Sequence, residues 1–136
     1  MYKWTICEWE DIEHLRKIAK KEKHNVNPSV NTVWYGLTNG KEYVGSAGIL
    51  IFAKRIARLK SMFILPEYRD MGHGTKAVEI RESYVFETLG YRRLDVISRS
   101  KKFWQGRGYR VAVKINDNKD HLFITDREWQ KEKNGN

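Results

Sequence analysis

Arg69, Gly72 and Gly74 stand in the pattern R-x-x-G-x-G, directly after the apolar run Met62-Phe63-Ile64-Leu65 and Pro66. A helix-forming segment follows. Glycines let a backbone approach a ligand closely, and the first N–H groups of a helix lack partners of their own. With the helix dipole behind them they attract an anion, and an arginine at the loop's entrance adds charge. The chemistry this spacing suits is a pyrophosphate cradle. The same residues also serve as a plain glycine-rich turn into a helix.

Two other phosphate motifs compete. A Walker-type loop fails, because Gly74-Thr75-Lys76 has Lys and Thr in the wrong order and Arg69 stands where the first glycine belongs. A dinucleotide fingerprint matches Gly72-His73-Gly74-Thr75-Lys76-Ala77, with Asp95 about 20 residues on as the ribose acid. However, Pro66 to Met71 separates the glycines from the strand, and Asp95 lies inside its own strand rather than at its end.

These residues need elements to hold them. Tyr2 to Cys7 reads as a short strand. Trp9, Ile12, Leu15 and Ala19 make one face of a helix, with acids early and bases late. Asn25 to Asn31 is loop. Val33 to Thr38, Glu42 to Phe52 and Ile56 to Leu65 form an antiparallel meander, turned at Asn39-Gly40 and at Lys54-Arg55. A helix is expected from Thr75 to Leu89, stopped by Gly90. Arg93 to Ser98 then pairs parallel to the strand before the loop. A short helix at Ser100 to Gln105 and a closing hairpin, Tyr109 to Ile115 with His121 to Thr125, complete the order. The polar tail from Asp126 is expected to fray. The class is α+β: a mixed, mostly antiparallel sheet with helices on both faces, in one domain of 136 residues.

Composition narrows the function. One cysteine, Cys7, excludes an internal disulfide framework and argues against a cysteine-based zinc site, so no metal is expected. No apolar run resembles a leader or a membrane span, and a cytoplasmic protein without membrane contact is the expectation. The net charge is +9, and residues 54–110 hold 14 Lys and Arg against 6 Asp and Glu. That field favours phosphates, on a cofactor, a nucleic acid or an acidic partner. Lys54 and Arg55, with Arg99, Lys101 and Lys102, lie among the aromatics Trp34, Tyr35 and Trp104. Such interleaving suits an acceptor or a nucleic-acid base. It equally describes basic surface over a packed core.

"LPEYRDMGHG" after a long strand and a meander resembles motif A of the GNAT acyltransferase superfamily, and "KFWQGRGY", Lys102 to Tyr109, resembles the family's second motif. Order and spacing agree from about Tyr2 to Thr125. The resemblance implies a GNAT fold with strands 56–65 and 93–98 splayed to admit the pantetheine arm of acetyl-CoA or another acyl-CoA. It implies that Phe63, Ile64 and Leu65 offer backbone groups to pantetheine. Arg69, Met71, Gly72, His73, Gly74 and Thr75 would surround the pyrophosphate. The implied activity is N-acylation of an amine acceptor.

Two departures accompany it. The stretch Arg58 to Met62, where the family often carries a carboxylate base, has none, and Trp104 stands where a tyrosine acid is usual. Tyr68, Tyr84, Ser98 and Tyr109 are the remaining candidates for proton transfer; otherwise proximity and water carry the reaction. Two further uses of the fold stand beside this one. One is base modification of the kind done by Mom-type phage proteins, similar only in fold and charge. The other is binding of CoA or a partner without turnover. The oligomeric state, monomer or dimer, is left open.

Overall fold

A computed structural model describes residues 1–135, with only the backbone of Phe52. Seven strands hydrogen-bond in the order β1-β2-β3-β4-β5-β7-β6. They are β1 (Lys3–Cys7), β2 (Thr32–Thr38), β3 (Tyr43–Ala53), β4 (Ile56–Ile64), β5 (Arg93–Ser98), β6 (Arg110–Asn116) and β7 (Lys119–Thr125). Five α-helices flank them: α1 (Trp9–Ile12), α2 (His14–Lys21), α3 (His73–Ser83), α4 (Lys101–Gly106) and α5 (Asp126–Lys133). The β4/β5 pair is parallel, as the helical crossover requires, and its ladder runs from Ile56↔Arg93 to Leu59↔Val96. The β1/β2, β2/β3, β5/β7 and β6/β7 pairs are antiparallel. This mixed, mostly antiparallel sheet is the expected fold class.

The chain divides into two compact units: Met1–Leu50 with Lys60–Arg81, and Ile51–Leu59 with Glu82–Asn136. In the first, Ile12, Leu15, Ala19, Val26, Trp34 and Phe63 form a buried cluster. The helix expected from Trp9 onward comes in two pieces. Glu13 between them keeps right-handed helical angles, and the Arg16 N–H reaches the Glu13 carbonyl only three residues back. The turn tightens there, and Ile12, Leu15 and Ala19 stay buried as the periodicity predicts. At the β2–β3 hairpin Gly40 has φ +96°, while Asn39 works through its side chain, whose Oδ1 accepts from the N–H groups of Lys41 and Glu42.

In the second unit, the segment Tyr84–Thr88 that continues α3 is a π turn: the Leu89 N–H bonds the Tyr84 carbonyl. Gly90 ends it at φ +65°, and the Tyr91 N–H closes onto the Val85 carbonyl. Three buried polar networks went unread in the sequence. Two belong to this unit. Glu82 accepts from Arg107 (2.7 Å) and from the Tyr109 hydroxyl (2.6 Å). Asp95 accepts from Arg93 (2.6 and 3.1 Å) and lies 2.6 Å from His121 Nε2. The third is in the first unit, where buried Arg81 donates to the carbonyls of Ala77 and Gly48, each at 3.0 Å.

The polar segment after Thr125, expected to fray, is instead helix α5. Thr125 and Glu128 form a reciprocal capping box, which satisfies the first N–H groups. Trp129, only 6% exposed, stacks on Phe86 with ring centroids 5.1 Å apart. One buried tryptophan anchors a segment whose other residues are nearly all polar. Trp129→Ala should therefore lower unfolding stability by about 3–5 kcal/mol, read from urea denaturation. A loose tail would leave the midpoint unchanged.

Candidate functional site

The loop after β4 is built within the first unit. Pro66 opens a 3₁₀ turn, Pro66–Tyr68, in which the Tyr68 N–H bonds the Leu65 carbonyl at 2.9 Å. Asp70 and Gly72 then take left-handed angles, φ +62° and +81°, and α3 begins at His73. The Lys76 N–H makes a bond to the Gly72 carbonyl, 3.2 Å. The N–H groups of His73, Gly74 and Thr75 precede it and have no carbonyl one helical turn back. A Cβ at Gly72 would meet nothing within 4 Å, and one at Gly74 only Met62 Cε, at 3.6 Å. Open space and a helix start therefore coincide at the two glycines, which fits an anion of pyrophosphate size.

The loop is pinned from both sides. The Trp4 indole donates to the His73 carbonyl at 3.0 Å, and Tyr2 packs on the His73 ring, centroids 4.8 Å apart. Tyr2 also meets Tyr68 edge-on at 5.9 Å. The His73 side chain is thus packed, its Nε2 buried without a hydrogen bond.

Arg69 differs from expectation. Its Nε donates to the Ile64 carbonyl (2.7 Å), its Nη2 meets Glu22 Oε1 (2.9 Å), and its guanidinium lies 5.4 Å from the Phe63 ring. A charge expected to face an anion is matched by a carboxylate and braces the strand end against α2's C-terminus. The Leu65 N–H is taken by the Val44 carbonyl. Phe63 and Ile64 are buried, and Met71 is exposed.

The other candidates are scattered. Tyr109 is buried with its hydroxyl committed to Glu82. Ser98 Oγ accepts from the Ser100 N–H, 3.0 Å, and Tyr84 is half-buried in the π turn. Trp34, Tyr35 and Trp104 were offered as stacking surfaces. All three are core residues, with Trp104 wedged edge-on between Phe103 and Tyr109, so they present no face to a base. Lys54, Arg55, Arg99, Lys101 and Lys102 are exposed, and Arg55 donates to the Gly90 carbonyl. Asp95, the would-be ribose acid, is buried and occupied by Arg93 and His121. On β4, Lys60 donates to Ser29 Oγ (2.9 Å) and to the Asn27 carbonyl (3.3 Å) and sits over Trp34. Burial pulls its pKa below the usual lysine value. Among the described residues, no cluster of three or more metal-ligating side chains occurs, and no helix is long and apolar enough to cross a membrane.

A family model described as the acetyltransferase (GNAT) family matches residues 1–109. No curated protein matches the sequence significantly. Among solved structures, a variant of spermidine N-acetyltransferase SpeG from Vibrio cholerae is similar at a TM-score of 0.76 and 9% identity, covering 94% of this chain and 95% of that one. An acetyltransferase of the GNAT family from Staphylococcus aureus is similar at 0.70 and 14% identity, covering 92% and 99%. At these identities the likeness is one of fold.

Cys7 has an electrostatic signature of its own. Burial, with Asp11 and Glu8 nearby, pushes its thiol up to about 12. The folded protein then keeps a proton that the unfolded chain releases near the ordinary value of 9.0, so this group's stabilisation is lost as pH rises from there towards 12. At pH 9, alkylation of the folded protein by iodoacetamide should run about a hundredfold or more below that of the urea-unfolded chain. Equal rates would place an ionised thiol at Cys7.

Proposed function

The chain belongs to the acetyltransferase (GNAT) family, and we propose that it transfers an acyl group, acetyl foremost, from acyl-CoA to an amine. The observation that carries this reading is the coincidence at the β4–α3 loop. Left-handed Gly72, unobstructed Gly74 and the first turn of an eleven-residue helix lie together at the end of β4. The residues that would hold the pyrophosphate are the backbone N–H groups of Gly72 to Thr75, with Met71 exposed beside them and Arg69 keeping the loop's shape. Bound acyl-CoA supplies a thioester: the amine nitrogen bonds the acyl carbon, the C–S bond breaks, sulfur leaves as thiolate and takes up a proton, and the nitrogen gives one up.

β4 presents Arg58, Lys60 and Ser61 where a carboxylate base would stand, and Trp104 is buried where a tyrosine would donate a proton. The reading therefore places proton transfer with water and most of the rate with orientation of the two reactants. The same two observations favour one second reading, acyl-CoA binding without turnover. Release of CoA thiol across a panel of amines decides between the two.

Gly74→Glu tests the cradle. Gly74 has room for a side chain, and a carboxylate near a helix N-terminus favours the helix, so the fold should be kept or slightly strengthened. Acetyl-CoA affinity measured by isothermal titration should fall by about a hundredfold or more, the loss expected from facing a pyrophosphate with a like charge. Undiminished binding would take the cofactor away from this loop.

A further inference from the structure

Lys60 is a nucleophile that the acyl-transfer chemistry above leaves unused. It stands on β4 in the first unit, together with the glycine loop. The β4/β5 ladder ends at Leu59↔Val96, so from Lys60 onward β4 has no strand partner along that edge among the described residues. Ser61 takes a left-handed angle, φ +54°, which breaks the strand's alternation and leaves Lys60, Ser61 and Met62 all half-buried. Met62 reaches the loop: its Cε lies 3.6 Å from where a Cβ at Gly74 would stand. At about 3.3 Å per residue, Lys60 sits roughly 7 Å further along the open edge. A molecule held at Gly72 to Thr75 and extended along that edge meets side chains from both faces of β4.

The Lys60 nitrogen is oriented without being neutralised by a carboxylate. Nζ donates to Ser29 Oγ at 2.9 Å and to the Asn27 carbonyl at 3.3 Å, and no acid pairs with it among the described residues. Nζ lies 5.6 Å from the centroid of the Trp34 ring. A neutral amine has two N–H groups, one for each acceptor, and its lone pair is then free. An ammonium brings a third N–H, for which no acceptor occurs among the described residues. Burial acts in the same direction: it pulls the pKa below the usual lysine value and enlarges the neutral, nucleophilic fraction.

We infer that Lys60 is itself an acceptor, taking an acyl group from acyl-CoA held at the β4–α3 loop. Nζ bonds the acyl carbon and the C–S bond breaks. The nitrogen gives one proton to water, and the departing thiolate takes one up. The product amide keeps a single N–H, so it can no longer hold both Asn27 and Ser29. Acylation thus cuts one of the ties between β4 and the chain from α2 to β2. The inference rests on the acyl-CoA reading and deepens it by naming an acceptor within the chain.

The test incubates the full chain with acetyl-CoA and maps its lysines over time by peptide mass spectrometry. Lys60 should gain one acetyl group about a hundredfold faster than exposed Lys54, Lys101 and Lys102, the advantage of a thioester delivered from a bound position. Gly74→Glu should erase that advantage and leave the exposed lysines reacting as before. Excess CoA, which carries the pyrophosphate and no acyl group, should suppress it equally, and keeps the test open if Gly74→Glu does not fold. Lys60→Arg, which keeps the charge, should remove the fast gain from the intact mass. Lys60 that reacts no faster than the exposed lysines, or as fast in Gly74→Glu and under excess CoA, overturns the inference. So does a fast gain that survives in Lys60→Arg. Isothermal titration of the same samples separates the two claims. Acetyl-CoA bound with Lys60 unmodified removes this inference and spares the acyl-CoA reading, whereas no binding removes that reading and this inference with it.

Discussion

The bond from Arg69 Nε to the Ile64 carbonyl fixes the geometry on which the β4–α3 loop depends. β4 ends at Ile64, and five residues later the chain has turned far enough for a guanidinium to reach back to the strand's last carbonyl. Glu22 holds the other side of that guanidinium, and Phe63 lies under it. A charge-assisted bond of this sort contributes about 1.5–3 kcal/mol, enough to select one loop conformation over looser ones. The left-handed angles at Asp70 and Gly72 follow within that closed turn, and the helix starts where they end. Arg69 thus shapes the loop, with its charge matched by Glu22.

That arrangement separates positive charge from donor geometry. Here donor geometry comes from backbone N–H groups at α3's first turn. The N-terminal strand contributes by holding the His73 carbonyl through Trp4 and the His73 ring through Tyr2.

The second unit organises its polar groups differently. Glu82 and Asp95 are buried and fully engaged, each with an arginine and one further ring-bearing side chain, Tyr109 or His121. Satisfied buried carboxylates serve the fold.

Periodicity and turn chemistry made most of the architecture legible in advance. The strands, the parallel pairing after a helical crossover, the Gly90 stop and the glycine turn before α3 are local patterns, governed by φ/ψ preference and by the spacing of apolar residues. Where reading failed, the deciding contact was distant in sequence. Helix α5 looked like a tail because its one buried anchor, Trp129, finds Phe86 over 40 residues away. The Glu22 partner of Arg69 went unread because it lies 47 positions upstream. Trp34, Tyr35 and Trp104 read as stacking surfaces because residue type does not reveal which face of an element is covered. Sequence alone determined most of the elements, their order and the glycine turn into α3, since these rest on local sterics and hydrogen bonding. Tertiary structure decided which charges are paired, as Glu82 is with Arg107 and Asp95 with Arg93, because pairing depends on neighbours that only folding brings together.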